Sequence, residues 1–405
     1  MTREEVYTAC LTGIEKSDFL LLEAATGLGK SKCSIDLVNH LVATKYKGKQ
    51  TSMLLLVAKT VHKQTWKDEI TKWGGLNVDL LTIECYESLK KHTGEAFDII
   101  VMDEVHHINS DARLEYLSTL GYGNIIGLSA TVPMKLKNFL TYKYHAETVS
   151  CPIIEAIESE VLPEPKIILF PLQLDNTKPT ETIEVNPKAK GRTFQGTYNK
   201  LWDYRKQRVH AIITCTQKQK LGDMNNQILF AKNRYQRTRQ EFLKNKWLFD
   251  CGERIKYLAN LKNDIVLSIL KKLSHQRTIT FCKTIEQAEC LGTHCIHSKN
   301  KDSDQIYRDF NDRKINHITS VNILNENANL VDCKYAIFAN YSASEICSMQ
   351  RIGRSLRHKS PIIIMPYYEG TREQEILEEM LKDFNKESII TVHSLEALDA
   401  TIKTQ

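Results

Sequence analysis

The sequence predicts an α/β protein: two parallel-sheet lobes with a basic helical subdomain inserted between them. Three observations predict it. Short apolar runs alternate with helical segments through residues 1–150, and the alternation resumes at residue 276. The apolar runs of both parts end in polar or charged residues, as strands do when their carboxyl ends gather on one functional edge. Between them, residues 186–275 lose that alternation and hold 20 Lys plus Arg against 6 Asp plus Glu, a surplus of 14 in a chain whose total is +6. The expected organisation is a first lobe over 1–150, a connecting segment and strand over 151–185, the basic insertion over 186–275 and a second lobe over 276–405.

The first lobe begins with "FLLLEAATGLGKS", residues 19–31. Residues 19–22 read as a buried strand. Gly27 and Gly29 then permit the backbone angles that let successive N–H groups curl around an anion, and a helix starting near Lys30 turns its amino end toward the same anion. The spacing is that of a phosphate-binding loop with Ala24 in place of the first glycine. A loop of this kind needs a carboxylate elsewhere for a metal ion. "FDIIVMDEVHHINS" supplies one, an apolar strand over 99–102 running into Asp103 and Glu104. Acidic groups directly after a buried strand are costly without partners, and in nucleotide hydrolases that placement holds magnesium and the attacking water. A solvated strand end is the plain alternative for this run alone.

Between these two lie "SMLLLVAKTVHKQTWKDEI", a strand over 54–57 followed by Lys59, Thr60 and a helix with Gln64 and Trp66, and "LTIECYESLKK", a strand followed by Tyr86, Ser88 and Leu89. "IIGLSATVP" closes the set with Ser129 and Thr131 at another strand end. In the second lobe, "RTITFCKTIEQAECLG" gives a strand over 278–282, Lys283 and a helix beginning near Ile285, and "YAIFANYS" and "PIIIMPYYEG" give two more strands. They flank "SMQRIGRSLRH", where Arg354 and Arg357, three apart on a helix, share one face.

Composition restricts the function classes. No apolar run reaches membrane length, and "MTREEVYTAC" has acidic residues and no apolar signal core, so a cytoplasmic protein without a membrane partner is expected. Eleven cysteines without a C-x-x-C pair fit a reduced compartment. "CLGTHCIH", residues 290–297, offers four soft ligands, but no second ligand group accompanies it and packing of a helix onto a strand explains the cysteines equally well.

The order of these runs resembles superfamily 2 of the helicases and translocases. "AATGLGKS" looks like that superfamily's phosphate loop, Asp103-Glu104-Val105-His106 like its D-E-x-H box, Ser129-Ala130-Thr131 like its S-A-T motif, and Gln350, Gly353, Arg354 and Arg357 match Q-x-x-G-R-x-x-R. "GTREQEILEEMLKDFN" looks like the closing helix of phage-type helicases, and a phage-encoded protein acting in a host cytoplasm fits this reading. The resemblance implies two RecA-like lobes using ATP and magnesium. Ala25, Thr26, Gly27, Leu28, Gly29, Lys30 and Ser31 would bind ATP, with Ser31 and Asp103 as magnesium ligands and Glu104 as the general base. Gln350, Arg354 and Arg357 would act across the cleft. His106, Ser129 and Thr131 would couple hydrolysis to movement, and Lys59, Thr60, Ser88 and Lys283 would hold the nucleic-acid backbone, DNA in preference to RNA, with a monomer sufficient. Two further departures are Val6, where a nucleotide-reading Gln is expected, and Asn327, where relatives carry Gly.

No family motif accounts for the basic insertion. "NQILFAKNRYQRTRQEFLKNKWLF" interleaves Arg234, Arg237 and Arg239 with Tyr235, Phe242 and Trp247. The charge is a footprint for a polyanion, and the aromatics either stack on bases or form the core of a helical hairpin. Two rival readings stand beside this one: another phosphate-loop NTPase, and a nucleic-acid-binding protein that has kept the fold and lost turnover.

Overall fold

The computed structural model describes residues 1–108, 110–185, 198–203, 208–321, 330–341, 352 and 358–403. Helix α1 (Arg3–Lys16) is closed at its amino end by a reciprocal cap. The Thr2 hydroxyl accepts from the Glu5 N–H at 3.2 Å, and the Glu5 carboxylate accepts from the Thr2 N–H at 2.8 Å. There follow β1 (Phe19–Ala24), α2 (Lys30–Ala43), β2 (Ser52–Val57), α3 (Thr60–Lys72), β3 (Leu80–Cys85), β4 (Ala96–Asp103), α4 (Asp111–Thr119), β5 (Gly121–Ser129), α5 (Met134–Tyr144) and β6 (Glu147–Cys151). The six strands pair in the order β3-β2-β4-β5-β1-β6, every pairing parallel. A parallel sheet is covered on both faces, which is why β1, β2 and β4 are continuous apolar runs rather than alternating ones.

The register fixes the functional edge. Leu56 lies opposite Met102, Val57 opposite Cys85, Asp103 opposite Leu128 and Glu23 opposite Ser129. The carboxyl ends of β1 to β5 therefore open onto one side, and the segments carrying Lys30, Lys59, Ser88, Glu104 and Thr131 all leave from it.

After α6 (Ile153–Glu158), strand β7 (Lys166–Leu172) does not extend the first sheet. It enters the second one, between the strands Ile362–Tyr368 and Ile389–Thr391. Within and just before the segment expected to be helical, β8 (Glu181–Val185), β9 (Tyr198–Asp203) and β10 (Arg208–Cys215) form a small antiparallel sheet in the order β8-β10-β9. Its apolar positions are few, Ile183, Ile213 and Cys215 being buried together. Two long helices follow, α7 (Gln217–Thr238) and α8 (Glu241–Leu261), packed as a hairpin. Arg239 makes the turn in the left-handed region, at φ 55°, with its N–H bonded to the Tyr235 carbonyl. Helix α9 (Asn263–Lys272) then lays Val266 and Ile269 on the second sheet, against Ile168 and Ile337.

The second lobe comprises β11 (Thr278–Phe281), α10 (Ile285–Leu291), β12 (Cys295–Ile296), α11 (Ser303–Asn311), β13 (His317–Ser320), β14 (Tyr335–Phe338), β15 (Ile362–Tyr368), the helix Arg372–Leu381, β16 (Ile389–Thr391) and the helix Leu395–Lys403. Its seven strands, β7 included, run parallel in the order β12-β13-β11-β14-β15-β7-β16. The architecture is two tandem RecA-like lobes with helical elements between their sheets. No helix among the described residues is long and apolar enough to cross a membrane.

Candidate nucleotide site and nucleic-acid surface

The loop after β1 has the backbone expected of an anion cradle. Gly27 and Gly29 lie at φ 103° and 100°, and Gly29 caps α2 without any side-chain hydrogen bond, which leaves that helix end facing the cavity. No atom lies within 4 Å of where a Gly29 Cβ would stand. Thr26 Oγ1 is buried with no hydrogen-bond partner, and a buried hydroxyl in that condition fits an acceptor that a bound phosphate would supply. Lys30 Nζ donates to the Ala24 carbonyl at 2.8 Å, so its ammonium is held against the loop it would leave to reach a phosphate. Arg3 Nε donates to the Leu28 carbonyl at 3.2 Å and ties α1 to the loop. Val6 is buried in the core and presents no hydrogen-bonding group to the cavity.

A cavity of about 650 Å³ runs from this loop to Asp103 and Glu104, with Lys30, Ser31 and Trp66 among its walls. That is the size of a nucleotide-scale pocket. Both carboxylates are buried. Asp103 Oδ2 accepts from Trp66 Nε1 at 2.8 Å, and the Asp103 carbonyl accepts from the Tyr86 hydroxyl at 2.9 Å. Burial pushes the Tyr86 phenol well above its ordinary pKa, so it remains a donor. Glu104 stands at φ 52°, in the left-handed region that a buried glutamate adopts only under constraint.

His106, Ser129 and Thr131 come together around Glu104. Ser129 Oγ donates to the Thr131 carbonyl at 2.8 Å. Ser129 Oγ also lies 2.9 Å from His106 Nδ1 and 3.4 Å from Glu104 Oε2, and His106 Nδ1 is itself 3.4 Å from Glu104 Oε2, so the three side chains form one contiguous polar cluster. Glu23, at the end of β1, accepts from the Val132 N–H and from Lys137 Nζ, each at 2.8 Å, and so fastens the segment after Thr131 to the phosphate-loop strand.

Three of the backbone-binding candidates, Lys59, Thr60 and Ser88, leave from the same edge of the first sheet, and none of the four lines the cavity. Lys59 caps α3 and is exposed, Thr60 opens that helix, and Ser88 is half-buried in the 3-10 turn Tyr86–His92. Lys283 follows β11 in the second lobe, half-buried, its N–H bonded to Gln287. Gln350, Arg354, Arg357 and Asn327 lie outside the described residues. In the run 290–297 the Cys295 thiol is buried and donates toward the Gly292 and Ala288 carbonyls, and burial raises its pKa, which is packing chemistry. No metal-holding group of His, Cys, Asp and Glu occurs among the described residues.

On the α7–α8 hairpin the aromatics divide. Tyr235 and Trp247 stack on each other with ring centroids 6.2 Å apart and are half-buried, whereas Phe230, Phe242 and Phe249 are exposed. Arg234 lies over the Phe230 ring and Arg239 over the Tyr235 ring. The sequence pattern grouped Tyr235 and Trp247 with Phe242; Phe230 and Phe249 are the rings it left out.

The model of the family described as "Type III restriction enzyme, res subunit" matches residues 2–134, and that described as "Helicase conserved C-terminal domain" matches residues 261–359. Each lobe thus matches a helicase-family model, and the family the two share is superfamily 2 of the helicases. The two matches cover the phosphate loop through the start of α5 and the end of α8 through the arginine run, and they leave out residues 135–260, which hold the antiparallel sheet and nearly all of the α7–α8 hairpin. Among solved structures, Dbp5 of S. cerevisiae bound to RNA and ADP BeF3 is similar at a TM-score of 0.60 and 11% identity, covering 98% of this chain and 92% of that one. A fragment of a putative HsdR subunit of a type I restriction enzyme from Vibrio vulnificus is similar at 0.57 and 16%, covering 96% and 67%. These likenesses are likenesses of fold. No curated protein matches the chain by sequence.

Proposed function

We propose that this chain is an ATP-driven helicase or translocase that couples hydrolysis to movement along nucleic acid. The observation that supports it most is the cavity joining the phosphate-type loop at Lys30 to the buried pair Asp103 and Glu104. In this reading the N–H groups of the loop and the α2 terminus, the Thr26 hydroxyl and Lys30 take the phosphates, while Ser31 and Asp103 hold magnesium. Magnesium, when bound, supplies positive charge against the phosphate oxygens. Glu104 accepts a proton from the attacking water, and His106, whose Nδ1 lies within 3.4 Å of Glu104 Oε2 and 2.9 Å of Ser129 Oγ, relays the state of that carboxylate to the Ser129–Thr131 segment. Arg354 and Arg357 are assigned by motif to the opposite wall.

The track is proposed to cross Lys59, Thr60, Ser88 and Lys283 and to continue over the basic hairpin, where exposed Phe230, Phe242 and Phe249 offer faces for unpaired bases. DNA is proposed on family resemblance. ATP hydrolysis measured side by side without polynucleotide and with single-stranded DNA, duplex DNA, forked DNA and RNA tests the reading. Hydrolysis stimulated by one of them is expected; ATP bound but never hydrolysed under any of them would leave a binding protein on a helicase fold.

The hairpin carries its own prediction. Changing Arg234, Arg237 and Arg239 together to Gln should weaken polynucleotide binding across sequences. The slope of log affinity against log salt should fall by about one unit for each phosphate that an arginine no longer neutralises. Unaltered affinity and slope in a salt titration would make these arginines a solvated helix face.

A further inference from the structure

Asp103 is gripped from two sides, and each grip comes from a segment whose exposed part is a candidate nucleic-acid contact. Helix α3 starts at Lys59 and Thr60, and one face of it, His62 and Trp66, turns inward, bringing the Trp66 N–H to the Asp103 carboxylate at 2.8 Å. The turn Tyr86–His92 carries Ser88 toward the surface and Tyr86 inward, where its hydroxyl bonds the Asp103 carbonyl at 2.9 Å. Trp66 and Tyr86 are almost wholly buried, so neither touches polynucleotide itself.

We infer that Trp66 and Tyr86 are positioning residues that tie polynucleotide contact at the ends of β2 and β3 to the placement of the Asp103 carboxylate. The inference rests on the reading of Asp103 as the metal-site carboxylate given above. An indole N–H on one carboxylate oxygen fixes the plane of the group, the way outer hydrogen bonds orient metal ligands. A small rotation of α3 or of the Tyr86 turn, set by a phosphate bound at Lys59 or near Ser88, moves a hydrogen-bond donor that Asp103 must follow. Coupling of this kind is reciprocal: if polynucleotide tightens the metal by some factor, the metal tightens polynucleotide by the same factor.

The test reads binding rather than turnover. Mn²⁺ affinity is measured by electron paramagnetic resonance in the presence of a non-hydrolysable ATP analogue, with and without a poly-dT oligonucleotide, for wild type, Trp66→Phe and Tyr86→Phe. Each variant removes one N–H or O–H and keeps an aromatic ring. Wild type should show tighter Mn²⁺ with the oligonucleotide, by a factor in the range of about 5 to 150 that allosteric couplings span. In each variant that factor should fall toward one, while the oligonucleotide affinity without metal, which also reports that the fold survives, stays at the wild-type value. An unchanged factor in both variants would make the two bonds structural only and overturn the inference. Absence of nucleotide-dependent Mn²⁺ binding in wild type would overturn it by removing the proposed metal site, and the two failures are told apart by the wild-type arm alone.

Discussion

Glu104→Gln should leave nucleotide and magnesium bound and cut ATP turnover by at least about 100-fold, the lower end of what a positioned general base contributes. Glu104 is buried beside the cavity, follows Asp103 directly, and is held at φ 52°, a conformation the chain would not give a glutamate without a fixed surrounding. Glutamine is nearly the same shape, so it can keep that backbone and its polar contact with His106, but it cannot take a proton from water at neutral pH. Binding is predicted to persist because Thr26, Lys30, Ser31 and Asp103 are unaltered. Single-turnover hydrolysis and the affinity of a fluorescent ATP analogue separate the two effects. Wild-type turnover in the Gln variant would remove Glu104 from the chemistry. Loss of nucleotide binding along with turnover would mean that the glutamate holds the loop together rather than the water.

Much of this site is legible in the sequence because its chemistry demands local patterns. An apolar strand running into Gly27 and Gly29, and another running into Asp103 and Glu104, are readable one stretch at a time. Which strands lie side by side is not legible in that way. "KIILFPL" reads correctly as a strand, yet nothing local in it says that it pairs with β15 and β16 rather than with the lobe it follows, since parallel neighbours are distant in sequence. The antiparallel sheet escapes for another reason. "ETIEV" alternates, with Ile183 buried and its neighbours Thr182 and Glu184 less so, but the charge surplus of the surrounding residues dominates that region. The inward turn of Trp66 is available in principle. His62, Trp66 and Ile70 are spaced four apart, and that stripe is the inward side of α3, whereas Gln64 bonds Asp68 on the exposed side.

The largest stability effect should come from a pair that no motif announces. Lys262, between α8 and α9, is wholly buried, and its ammonium donates to Glu373 Oε1 at 2.5 Å while lying 4.6 Å from the centre of the Tyr341 ring. Glu373 belongs to the helix Arg372–Leu381 and with its other oxygen accepts the Tyr368 N–H at the end of β15 at 3.1 Å. One ion pair thus fastens the base of the basic hairpin to the second sheet. Burial lowers the Lys262 pKa below the ordinary 10.5 against the pull of Glu373. Glu373→Gln strands that charge in the interior and should cost about 3–5 kcal/mol in the unfolding of the second lobe, the scale for removing one partner of a buried pair. Between the folded-state value and 10.5 the unfolded chain binds more protons than the folded one, so stability rises with pH across that window and the lysine's penalty is gone above 10.5. The slope should be steeper in the variant, where no carboxylate opposes the fall. Lys262→Met added to Glu373→Gln should restore most of the loss, because the amide oxygen can still accept from Tyr368 and no charge remains to be buried. Denaturant midpoints of the two variants, followed from neutral pH toward 10.5, decide it: a Glu373→Gln protein as stable as wild type, or one whose stability falls as pH rises, would mean that Lys262 reaches water and does not hold the hairpin to the sheet.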